Sequence, residues 1–105
     1  MGPEITLAEF QRQIERIYFD KDAGRGLEAS FMWLVEEVGE LSRALRREEA
    51  ADRVEEFSDV LAWLCTLASI AGVELADAVA KYAQGCPKCH GTPCACGEPM
   101  PGGGA

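Results

Sequence analysis

The sequence predicts an all-α protein, and three observations carry that prediction. Apolar residues recur at three- and four-residue intervals in four stretches between Leu7 and Tyr82, the spacing of one face of a helix. No stretch shows the apolar–polar alternation of a half-buried strand. Glycines stand where the last two periodic stretches run out, at Gly72 and Gly85, as they commonly do just beyond a helix end.

Thr6 followed by Glu9 has the form of a capping box, and Leu7, Phe10, Ile14 and Ile17 then mark a first helix through about Phe19. The run Asp20-Lys21-Asp22-Ala23-Gly24-Arg25-Gly26 is charged and carries two glycines, so it reads as a loop able to close over a ligand. A second helix spans about Leu27 to Arg47. Its Phe31, Leu34, Val35, Val38, Leu41 and Leu45 share one arc, and Arg43, Arg46 and Arg47 favour the negative end of its dipole. The third helix, about Arg53 to Ala71, has no charge after Asp59. A helix apolar around most of its girth needs cover on several sides, which places it at the centre of a bundle that dimerisation completes. Leu75 to Tyr82 forms a short fourth helix, with Leu75, Val79 and Tyr82 on one face.

At 105 residues the chain has room for one small hydrophobic core, and association with further copies would help to stabilise it. A homodimer or homotetramer is therefore expected. The net charge of −8 opposes binding of a nucleic-acid polymer, since the basic residues do not cluster. Carboxylates that first take up divalent cations can nevertheless bind a phosphate-bearing small molecule. The opening Met1-Gly2-Pro3-Glu4 has no signal-peptide character. The longest uncharged run, Val60 to Val73, is 14 residues, short of the roughly 20 that span a bilayer. No membrane partner is expected, and a cytoplasmic protein is.

Glu37 and Glu40 lie one turn apart on the second helix, and Glu56 and Asp59 repeat that spacing on the third. Glu56 falls between Trp63 and Leu67 on the helical wheel, at the border of the apolar face, where a solvated ion pair has little reason to be. In an antiparallel hairpin of the two helices the four carboxylates converge. A partly shielded cluster of that kind requires protonation or a cation, and oxygen-only ligands favour Mg²⁺ or Mn²⁺ over zinc. The plainer alternative is ordinary pairing along the helix, Glu36 or Glu40 with Arg43, which contributes only a few tenths of a kcal/mol. A di-iron carboxylate site would need Glu-x-x-His pairs, and the only histidine, His90, lies outside the helices.

Trp33-Leu34-Val35-Glu36-Glu37-Val38-Gly39-Glu40-Leu41 and Glu55-Glu56-Phe57-Ser58-Asp59-Val60-Leu61 resemble the paired E-E-x-x-E and E-x-x-D motifs of the MazG-like all-α nucleotide pyrophosphohydrolases. The likeness covers roughly residues 6 to 85. It implies a four-helix MazG-like bundle in residues 1–85, with Glu37, Glu40, Glu56 and Asp59 as magnesium ligands. Glu36 then becomes the candidate for orienting or deprotonating the attacking water. Lys81 resembles a lysine that often follows the second motif, and Arg25 precedes the second helix; either would bind phosphate. Trp33 is placed to stack on a base or to pack on a neighbouring helix, while Trp63 and Tyr82 are assigned to packing. The implied reaction is hydrolysis of a nucleoside triphosphate, a dNTP or a non-standard nucleotide, to the monophosphate and pyrophosphate, in a house-cleaning role. Beyond Tyr82 the chain departs from many relatives, with Gln84-Gly85-Cys86 in place of an Asn- and Lys-bearing segment.

Cys86-Pro87-Lys88-Cys89 and Cys94-Ala95-Cys96 form two close thiol pairs within eleven residues. In a reducing compartment that spacing suits a structural Zn²⁺ rather than disulfides, with His90 as a spare ligand. A thioredoxin-type redox pair would need a βαβ context. Residues 86–98 are thus expected to form a zinc knuckle and 99–105 a disordered tail, with Cys65 a buried apolar residue. The alternative to an enzyme is a non-catalytic helical interaction or oligomerisation module whose zinc tail fixes assembly.

Overall fold

A computed structural model describes residues 4–47 and 49–97. The expected tail at 99–105, and Glu98 at the end of the expected knuckle, lie outside the described residues. Among the described residues are four α-helices, α1 (Leu7–Arg25), α2 (Leu27–Arg46), α3 (Ala50–Ile70) and α4 (Leu75–Val79), and the last tightens into a 3₁₀ turn at Ala80–Tyr82. No strand occurs among the described residues. The chain divides into two compact units between Leu75 and Ala76, upstream of the boundary at Gly85 that composition suggests.

In the first unit α1 starts as expected. The Thr6 hydroxyl accepts the Glu9 N–H at 3.1 Å while the Glu9 carboxylate accepts the Thr6 N–H at 2.7 Å, so the two groups satisfy each other's orphaned donors. The helix does not end near Phe19, and the expected loop at 20–26 is helical as far as Arg25. The reason lies in distant residues. Asp22 is buried, its Oδ2 accepts the Thr66 hydroxyl of α3 at 2.9 Å, and its Oδ1 accepts from Arg25 at 2.8 Å. Only Gly26 breaks the helical path; its φ of 88° lies in the left-handed region that glycine adopts without penalty.

The α3 helix packs along both α1 and α2, which scarcely touch each other, so its central position agrees with its lack of charge. The most deeply buried positions are held by small or polar residues. Ala44, Cys65, Ser30 and Gln11 are fully buried, as expected for Cys65. Gln11 fixes the turn after α3, donating to the Ser69 hydroxyl and the Val73 carbonyl and accepting the Leu75 N–H. The apolar arc of α2 is less covered than its pattern suggests. Leu34 and Leu41 are half-buried, whereas Phe31, Val35, Val38 and Leu45 are exposed. Among the described residues no single helix is long and apolar enough to cross a membrane.

Candidate metal centre

Only three residues separate α2 from α3, so the chain turns back and the two helices pack side by side. The Arg53 guanidinium braces this turn by donating to the Arg47 carbonyl. The hairpin brings the acidic segments together. Carboxylate oxygens of Glu37, Glu56 and Asp59 all lie within 4.8 Å of one another, in half-buried positions. Three negative groups at that separation repel strongly where water is partly excluded. Burial first and the Asp59 charge second push the Glu37 carboxyl above its usual range, against a lowering hydrogen bond with Trp63. Glu56 is pushed up likewise, by burial and then by the charges of Asp59, Glu37 and Glu40.

These residues fit a divalent cation on a specific observation. Oε1 of Glu56 is buried and has no hydrogen-bond partner, an arrangement that natural interiors seldom leave uncompensated. A hard cation among three carboxylates would supply the missing partner and remove the repulsion. The border position that Glu56 takes in the sequence therefore has a physical counterpart.

Glu40 belongs to the sequence-predicted ligand set but not to the convergent group. It pairs with Arg43 at 2.8 Å, and that guanidinium holds its carboxyl below the usual range. It is still close enough for its charge to raise both Glu37 and Glu56. Glu36 is outside the convergent group; it is exposed and lines a shallow hollow with Met32 and Trp33, and its charge still helps to raise the Glu37 carboxyl. Its place outside the group reflects the divergence that adjacent helical positions impose.

A cleft of about 230 Å³ opens beside the acids and shares Asp59 with them; Lys21, Asp22, Arg25, Trp63 and Thr66 are among its walls. Arg25, expected from the sequence to meet phosphate, lies in this cleft, paired to Asp22 and 4.7 Å above the Trp63 ring. Trp63 in turn stacks on Trp33, with ring centroids 6.0 Å apart and planes 11° from parallel. Trp33 therefore packs on a neighbouring helix, the second of its two expected roles, and remains 52% exposed. Trp63, assigned to packing alone, also forms a wall of the cleft. Lys81 belongs to the second unit, where its ammonium sits 5.6 Å over the ring of Tyr82.

Sequence reasoning missed Lys21, Asp22 and Thr66 as cleft residues. A signal existed in the continuing period: Ile14, Tyr18, Asp22 and Arg25 fall on one face if the first helix is carried past Phe19, and all four line the cleft. The charges and glycines of that stretch hid it.

No curated protein matches the chain. The family model described as the MazG nucleotide pyrophosphohydrolase domain matches residues 25–90, well over half of the chain and the whole of the α2–α3 hairpin that carries Glu37, Glu56 and Asp59. The chain belongs to the MazG nucleotide pyrophosphohydrolase family.

Proposed function

We propose that the protein hydrolyses a nucleoside triphosphate, a dNTP or a non-standard nucleotide, to the monophosphate and pyrophosphate with Mg²⁺ or Mn²⁺. The observation that carries this reading is the convergence of Glu37, Glu56 and Asp59 around an unpartnered Glu56 oxygen. When bound, the ion neutralises phosphate oxygens and acidifies water.

The chain's own groups divide the remaining work. Glu37, Glu56 and Asp59 hold the cation, and Glu40 joins them on leaving Arg43, since a solvent-screened ion pair opposes the move only weakly. Arg25 and Lys21 meet the phosphates from the wall of the adjoining cleft. The exposed Trp33 offers a ring for the base. Glu36 orients the water and accepts its proton, a role that rests on the motif. The water oxygen bonds to phosphorus, the bridging bond between the α- and β-phosphates breaks, and the bridging oxygen leaves with one product. A house-cleaning role follows from a substrate of this class.

The reading includes a homodimer or homotetramer. It is supported by Phe31, Val35 and Val38 on α2 and Val54, Phe57 and Leu61 on α3, which are 41% to 70% exposed in the single chain and which contact with another copy would cover. It also includes a cytoplasmic location, supported by free thiols at all five cysteines.

The test is pyrophosphate release from a panel of canonical and modified nucleotides with Mg²⁺ or Mn²⁺. Turnover is expected for at least one, and Glu56→Gln or Asp59→Asn should abolish it. If no nucleotide is turned over and calorimetry detects neither ion binding, the enzyme reading is wrong and an interaction module takes its place.

A further inference from the structure

The second unit contains a group of side chains that the proposed hydrolysis does not use. Sulfur atoms of Cys86, Cys89, Cys94 and Cys96 all lie within 4.8 Å of one another. Three of the separations are 3.6 Å for Cys94–Cys86, 3.9 Å for Cys86–Cys96 and 4.0 Å for Cys89–Cys94. These values have a simple geometric meaning. Four thiolates each about 2.3 Å from a tetrahedral zinc ion stand about 3.8 Å from one another, the middle of the observed range.

The backbone around the sulfurs is arranged as thiolates require. Cys89 Sγ accepts the Ala95 N–H, one of two main-chain donors aimed at the sulfurs. The Ala95 bond measures 3.2 Å, and the Cys96 N–H reaches Cys94 Sγ at 3.3 Å. Each donor offsets part of the charge that a thiolate brings into the cluster. Two main-chain bonds close the loop between the pairs, His90 N to Cys86 O at 2.7 Å and Cys86 N to Gly91 O at 3.0 Å. The loop is tight enough to exclude a side chain at Gly91, where a Cβ would stand 2.8 Å from the Pro93 carbonyl oxygen and 3.4 Å from Cys89 Sγ.

We infer that Cys86, Cys89, Cys94 and Cys96 of a single chain form a closed, structural zinc site. Four thiols release four protons as the ion enters, leaving a tetrathiolate of net charge −2. The four ligands of a tetrahedral site all come from this chain, so no position remains for a ligand from another subunit, for His90 or for a reacting water. The unit has almost no apolar core, since none of its described residues is buried. Metal coordination is therefore the interaction available to hold it together.

The test uses the full-length protein, purified with zinc present and then dialysed. Elemental analysis should give one zinc per chain, and cobalt exchanged into the site should show the intense absorption of a tetrahedral thiolate complex. Cys89→Ser and Cys96→Ser should fall well below one zinc per chain, while His90→Ala and Glu56→Gln should keep it. Gly91→Ala, which retains every thiol, should lose zinc to a competing chelator about tenfold more readily. Zinc-free protein, intramolecular disulfides in the freshly purified chain, loss of zinc in His90→Ala or Glu56→Gln, or an unchanged Gly91→Ala would each overturn the inference. Because metal content is the readout, failure here is distinguishable from failure of the hydrolase reading.

Discussion

Thr66→Val would replace a hydroxyl by a methyl group of nearly the same shape at the contact that joins the end of α1 to α3. The hydroxyl donates to Asp22 Oδ2 at 2.9 Å, and Asp22 is 8% exposed. After the change that oxygen has no donor and little access to water, while Arg25 still serves the other oxygen at 2.8 Å. A hydrogen bond to a charged buried group is worth roughly 1.5–3 kcal/mol, and the retained Arg25 pair argues for the middle of that range. We expect a loss of about 2 kcal/mol, which in a chain of this size lowers the melting temperature by roughly 8–16 °C.

The assay is thermal unfolding followed by circular dichroism at one fixed protein concentration, because any self-association makes the midpoint concentration-dependent. Thr66→Ser, which keeps the donor, should lose much less. The helical signal of Thr66→Val should also decline before the main transition as residues 20–25 fray. A midpoint within about 1 °C of wild type, where a loss near 2 kcal/mol predicts several degrees, would refute the claim that this bond makes the segment helical.

Two further outcomes follow from the first unit. Glu37 and Glu56 bind protons more tightly folded than unfolded, so in magnesium-free buffer their contribution is present below the ordinary carboxylate pKa and is lost as pH rises through the raised folded values. Wild type should therefore lose stability relative to Glu56→Gln between about pH 4.3 and neutrality, and saturating Mg²⁺ should reverse that loss; parallel pH profiles for the two proteins would contradict the clustering. Thr6→Ala removes the hydroxyl that accepts the Glu9 N–H, leaves the residue-6 N–H free to donate to Glu9, and should cost about 1 kcal/mol, seen as a lower urea midpoint with an unchanged slope.

The acidic pairs were legible because helix geometry converts spacing directly into direction. Glu37 and Glu56 needed only the periodicity of their helices and a short link to be placed together, and both take part in the convergent group. Glu40 satisfies the same spacing rule yet turns to Arg43. Spacing fixes the face of a helix, but a long, flexible side chain on that face chooses among partners by local electrostatics. The apolar arc of α2 shows a related limit: periodicity finds the face without saying whether the same chain covers it. Phe31, Val35 and Val38 remain exposed.

The sequence by itself determined the all-α class, the existence of the three long helices, the acidic pairs and the thiol spacing, all of which are local properties of the chain. Tertiary structure alone decided that residues 20–25 are helical, because the partner that satisfies Asp22 lies 44 positions away at Thr66. It also decided that Trp33 and Trp63 stack, that Arg25 meets Asp59 in one cleft, and that one Glu56 oxygen is left without a partner. Burial and the pairing of polar groups depend on which surfaces meet, and that is settled only when the helices pack.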